Sequence, residues 1–163
     1  MSGFARLAVL ALWLTLATAD AHAFLAHVEP SDDGVLAGAS EALELHFTMA
    51  VEARFSRFEV YHLVVEPKAL PVDLAAPSER ERQRLNALAA QFAASVLELD
   101  SGDDQLERAD DGTITLSEGD TVVTVGLREG LRAGPYVVVW DVLAVDAHWT
   151  NGHQLLLIAG TLD

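Results

Sequence analysis

The chain has 163 residues, 51% of them hydrophobic and 21% charged, which suits one globular domain and leaves little room for two independent cores. A formal net charge of −15, from 10 Lys and Arg against 25 Asp and Glu, repels a phosphate backbone and excludes nucleic acid as a partner. With no cysteine there can be no disulfide, thiolate metal site, iron–sulfur cluster or cysteine nucleophile, so any metal must be held by nitrogen and oxygen.

The chain opens as an export signal. Arg6 is followed by an apolar stretch from Leu7 to Ala17, long enough for a signal-peptide core and too short to span a bilayer. Ala19-Asp20-Ala21 fits a signal peptidase site, giving residues 1–21 as signal peptide and a mature domain of residues 22–163 that starts at His22. A second register, Ala21-His22-Ala23, would start the mature chain at Phe24. The choice bears on chemistry, because only the first cut leaves an α-amine and an imidazole on one residue. No second long apolar run follows, so no membrane insertion is expected after cleavage.

Short stretches of β-branched, aromatic or alternating residues, bounded by Gly, Pro and Asp, predict seven strands. They lie near Phe24–Val28, Leu43–Thr48, Phe58–Val65, Thr113–Leu116, Thr121–Gly126, Tyr136–Val145 and Gln154–Ala159. Alternation in Leu43-Glu44-Leu45-His46-Phe47 points the apolar residues inward and His46 outward. Val137-Val138-Val139-Trp140 is apolar on both faces, as in a central strand of two packed sheets. The expected fold is all-β, a seven-stranded sandwich or barrel.

An amphipathic helix over residues 78–97 interrupts the strands. Ser78 and Glu81 have capping-box spacing, and Leu85, Leu88, Phe92 and Val96 follow at intervals of three and four. Its polar face mixes Glu and Arg, which favours packing on the sandwich over binding to a membrane. The next stretch, Asp100 to Gly112, is rich in Asp but lacks the EF-hand offsets, and it is read as a solvated turn rather than a calcium site.

The six histidines are His22, His27, His46, His62, His148 and His153. His46 and His62 fall within strands and are read as structural, and His27 and His153 as polar surface residues. Asp146-Ala147-His148 stands apart, because it follows a strong strand and precedes Trp149-Thr150-Asn151-Gly152, read as a turn. In an extended segment Asp146 and His148 share a side and can offer an oxygen and a nitrogen together. If His22 begins the mature chain, its amine and Nδ1 can chelate one ion, with His148 as a third nitrogen and Asp146 as an oxygen donor. Three nitrogens and one oxygen suit copper(II), with zinc as the competitor. No serine lies in a nucleophile context, so a Ser-His-Asp reading ranks low.

These residues resemble the CopC family of periplasmic copper-binding proteins. The segment from Gly134 through Tyr136, Val138, Trp140, Val142, Asp146 and His148 to Gly152 is similar to the family's G-x-Y-x-V-x-W-x-V-x-S-x-D-G-H-x-x-x-G. His22-Ala23-Phe24-Leu25, then Pro30 and Gly34, resembles its H-A-x-L start with one extra residue before the glycine, and Leu43 to Phe47 with Phe55 resembles its second strand and the segment after it. The resemblance implies a cupredoxin-like or immunoglobulin-like Greek-key sandwich and a histidine-brace copper(II) site of His22, Asp146 and His148. It also implies cleavage before His22, a periplasmic location, a role in copper resistance, homeostasis or delivery, and a CopD-like inner-membrane partner. Ala147 and Ala144 stand where the family has glycine and serine, and residues 67–111 form an insertion. The family's methionine-rich copper(I) site is not expected, since Met49 is the one methionine after residue 21.

Two other classes compete with a copper carrier. An oxidative copper enzyme could also use an N-terminal brace, but Asp146 as a donor would occupy the position oxygen needs, so no enzyme activity is expected. A metal-free interaction module would use Asp146 and His148 only to brace a turn.

Overall fold

Period-two alternation builds eight strands in two sheets, described over residues 22–31, 33–99, 108–117 and 119–160 of a computed structural model. Residues 1–21, read from the sequence as a signal peptide, and residues 100–107 of the acidic stretch lie outside the described residues. One sheet joins β1 (Leu25–Glu29), β3 (Ala42–Phe47), β6 (Val122–Leu127) and β5 (Asp110–Leu116) in the order β1-β3-β6-β5, all antiparallel. The other joins β2 (Val35–Leu36), β8 (Trp149–Ile158), β7 (Gly134–Leu143) and β4 (Arg57–His62) in the order β2-β8-β7-β4. The unexpected eighth strand is β2, a two-residue segment parallel to β8 and too short to show a periodicity.

The inward residues of both sheets form the first core. Leu43, Leu45 and Phe47 of β3 with Val123 and Val125 of β6 meet Phe58 and Val60 of β4 and Val138, Trp140 and Val142 of β7. A second core lies on the far side of β7. The helix α1 (Glu79–Leu97) packs Leu85, Ala89, Ala93 and Val96 onto Val137 and Val139 of β7 and Leu155 and Leu157 of β8. The double-faced apolar run of β7 therefore reflects three layers, sheet on sheet on helix. The two alanines of the buried stripe let the helix axis approach the sheet, while Leu88 and Phe92 flank it half-buried. Ser78 and Glu81 complete the expected capping box, with the Ser78 amide donating to Glu81 Oε2 at 2.8 Å. At the other end, where the last turn has no basic residue of its own, the Arg57 guanidinium reaches in from β4 and donates to Leu99 O at 3.1 Å.

The end of the acidic stretch is not a solvated turn. Asp110 begins β5 and is 1% exposed. Its carboxylate accepts from the Val60 amide at 2.8 Å and the Gly112 amide at 3.1 Å, and it holds Arg108 in a two-pronged pair at 2.6 and 3.0 Å. Arg108 also lies 3.5 Å from buried Glu59, which accepts from the Tyr61 hydroxyl at 3.0 Å. Burial and the neighbouring Glu59 push the Tyr61 phenol well above its ordinary range. This charged cluster ties β5, at the edge of one sheet, to β4, at the edge of the other.

Candidate metal centre

The β7–β8 hairpin sets the centre of the site. Leu143 pairs with Trp149, so the turn spans residues 144–148, and Trp149 to Gly152 belong to β8 rather than to a turn. Strand pairing carries Gly152 onto Trp140, where a Cβ would sit 2.5 Å from the indole ring. Glycine at this place in the motif is thus a requirement of packing.

Within the turn, the Ala147 amide donates to Ala144 O and the Ala144 amide to His148 O, both at 2.9 Å. Asp146 and His148 meet through this closed turn and not through an extended segment, which corrects the expectation from strand alternation. Ala147 has φ of +66°, in the left-handed region where a Cβ is unfavourable and glycine is at ease. Ala147→Gly is therefore expected to stabilise the fold by up to about 1 kcal/mol, the release of left-handed strain less the added chain entropy of glycine. The urea unfolding midpoint reports it, and an unchanged or lower midpoint would contradict it.

The His148 amide donates to Asp146 Oδ1 at 3.1 Å, which fixes the carboxylate across the turn. Oδ2 then lies 3.1 Å from His148 Nδ1, in a short but misaligned contact. Shielded from solvent, Oδ2 has no hydrogen bond among the described residues. Desolvation alone would raise the Asp146 pKa, but the His148 amide and imidazole, with His22 beyond, outweigh it and hold the carboxyl below its ordinary range. The group is a carboxylate at neutral pH, with Oδ2 facing the His148 imidazole.

His22 reaches this turn from the start of the described chain. Thr48, just past β3, accepts from the Phe24 amide at 3.0 Å and donates to His22 O at 3.3 Å. Thr150 of β8 donates to Ala23 O at 2.7 Å, and Ala23 is fully buried between these clamps. One threonine from each sheet thus holds the segment, and the His22 ring lies 5.1 Å from the His148 ring, centroid to centroid. Neither threonine stood out in the sequence, because their role depends on which strands bring them to the first residues. The structure brings Asp146 and His148 into contact and sets His22 beside His148, but the trio whose donor atoms all fall within 4.8 Å of one another, among the described residues, is His27, Glu29 and His46.

His62 ends β4 with its ring 5.1 Å from that of Tyr136. His153 pairs with Val139 on β8, and burial pushes its imidazole below the ordinary histidine value.

A family model described as the CopC domain matches residues 86–155, from within α1 into β8. Among solved structures, the chain is similar to CopC from Methylosinus trichosporium OB3b, at 18% identity and a TM-score of 0.50, covering 87% of this chain and 100% of that one. It is also similar to PcoC, a methionine-rich copper resistance protein from Escherichia coli, at 16% identity and a TM-score of 0.52, covering 85% and 99%. No curated protein matches it in sequence. The resemblance to the CopC family thus holds in the sequence of residues 86–155 and in the fold.

Proposed function

Proceeding from the CopC fold and the CopC-domain match, we propose that this chain is an exported, periplasmic copper(II)-binding protein for copper resistance, homeostasis or delivery. The ion is cargo, held in a histidine-brace arrangement by the His22 amine and imidazole, His148 and Asp146. The observation that carries this reading is the Asp146 carboxylate, ionised at neutral pH, with Oδ2 shielded from water and lacking a hydrogen bond beside an imidazole. An unmatched buried oxygen of this kind costs free energy, which a cation placed there would recover.

The donor set fits the ion. Neutral imidazoles, an amine and a carboxylate suit copper(II), which heads the affinity order of divalent ions at such sites. His148 Nδ1, 3.1 Å from Asp146 Oδ2, is the ring nitrogen placed to share an ion with that oxygen. The two threonine clamps limit how far the start of the chain can wander from the turn, which lowers the entropy lost on chelation. Nothing in the proposal requires turnover. Transfer to a CopD-like inner-membrane protein is the step that would follow binding.

A competition titration with copper(II) on the chain beginning at His22 tests the reading. One ion is expected to bind at the brace, with affinity falling as the pH drops below about 7.7–8.0, the ordinary range of an α-amine, because protons compete for the donor nitrogens. Asp146 adds little to this dependence near neutrality, since its pKa is lowered and the carboxylate protonates only in acid. Failure to bind copper(II), or binding that strengthens with acidity, would contradict it.

A further inference from the structure

We propose a second metal site on the outer face of the β1–β3 pair, built from His27, Glu29 and His46 with Glu44 beside them, for a borderline divalent ion such as zinc(II). The register makes the cluster. His27 is the cross-strand partner of His46, and Glu29 is that of Glu44. Residues two apart on a strand share a face, so the four side chains form a rectangle on the side away from Val28, Leu45 and Phe47, which enter the core.

The donor atoms of His27, Glu29 and His46 all lie within 4.8 Å of one another. His27 Nε2 is 3.4 Å from Glu29 Oε1, and His46 Nε2 is 3.5 Å from Glu44 Oε2. His46 Nε2 is shut off from solvent and makes no hydrogen bond among the described residues, so a coordinating atom already stands without a hydrogen-bond partner. Glu29 and Glu44 face each other across the strands, an unfavourable pairing of like charges. Their ion-pair partners among the described residues are the two histidines, with no Lys or Arg near enough to neutralise them. A divalent cation removes that repulsion and occupies His46 Nε2 at once.

Two imidazoles with carboxylate oxygen select zinc(II) or a neighbouring transition ion over calcium or magnesium, which prefer oxygen alone. The rings now stack, with centroids 4.1 Å apart and planes 13° from parallel. Imidazole lone pairs lie in the ring plane, so coordination must splay this stack until both nitrogens converge at about 2.0–2.1 Å from the ion. His27, on the open side of the pair with its side chain 54% exposed, is free to rotate. Four residues lie between His27 and His22, about 17 Å if extended, and no brace residue joins this trio within the 4.8 Å spacing of its donor atoms.

The test titrates zinc(II) alone into the chain beginning at His22 and into three variants, following stoichiometry by calorimetry and the histidine rings by NMR. In the His148→Ala variant one zinc(II) should still bind and shift the His27 and His46 ring signals as the stack opens. Added to His148→Ala, which removes a brace ligand, His27→Gln and Glu29→Gln, both at exposed positions, should each weaken that event by at least about tenfold without altering the folded spectrum. Retention of zinc(II) affinity in both Gln variants, or complete loss of zinc(II) binding in His148→Ala, would overturn the proposal.

Discussion

His148→Ala is expected to lower copper(II) affinity by more than about 100-fold, because removing only an outer partner of a metal ligand already costs 10–100-fold. The side chain is 56% exposed on a turn, so its loss should leave the unfolding midpoint nearly unchanged. That combination separates a ligand from a structural histidine. Asp146→Asn supplies the complementary measurement. The amide oxygen can still accept from the His148 backbone, as Oδ1 does at 3.1 Å, but the negative charge beside Nδ1 is gone. Copper(II) affinity should fall while the turn survives. Equal affinity in wild type and His148→Ala by competition titration would remove His148 from the site.

Arg108→Ala is expected to have the largest effect on stability. Asp110 and Glu59 are buried, at 1% and 6% exposure, and Arg108 pairs with both. Deleting it leaves two carboxylates without that cation in a region that water enters poorly. Breaking a buried pair from one side costs about 3–5 kcal/mol, and the lower end applies here because the Arg108 side chain is one-third open to water. The Val60 and Gly112 amides still bond Asp110, and Arg57 stays 3.7 Å from Glu59, so the fold should weaken rather than fail. Urea unfolding should show the midpoint drop, and adding Asp110→Asn should recover part of it by removing the stranded charge. A midpoint within error of wild type would show that the cluster holds the two sheet edges no more firmly than an apolar contact would.

The parts of the fold legible in the sequence were those governed by local periodicity. Alternation in Leu43 to Phe47 identified the core face of β3, and the Ser78–Glu81 spacing located the helix start. What escaped depended on tertiary position. The helix packs on the sandwich as its polar face suggested, but apolar periodicity alone cannot say that Val137 and Val139 of β7 are the residues it covers. Asp110 looked like part of a hydrated acidic loop because its cation partner and the Val60 amide are brought to it by pairing between distant strands. The turn of β7–β8 was placed a few residues late, since Trp149 to Gly152 has turn composition yet completes the hairpin ladder.

The same limit applies to the metal-binding candidates. Asp146 and His148 were legible because they stand two positions apart and the family motif carries both. The left-handed Ala147 that joins them was not, as nothing in an alanine announces a positive φ. His27 and His46 were read separately as surface and structural residues, and only the β1–β3 register makes them one cluster.

Native mass spectrometry of the protein exported by cells grown with copper tests the central claim most directly, because one spectrum reports both the first residue and the bound ion. The account predicts a chain beginning at His22 that carries copper, with the His148→Ala form exported alike but without copper at the brace. A chain beginning at Phe24 and carrying no metal would contradict it, since both His22 donors would be gone and Asp146 and His148 would be left only to brace their turn.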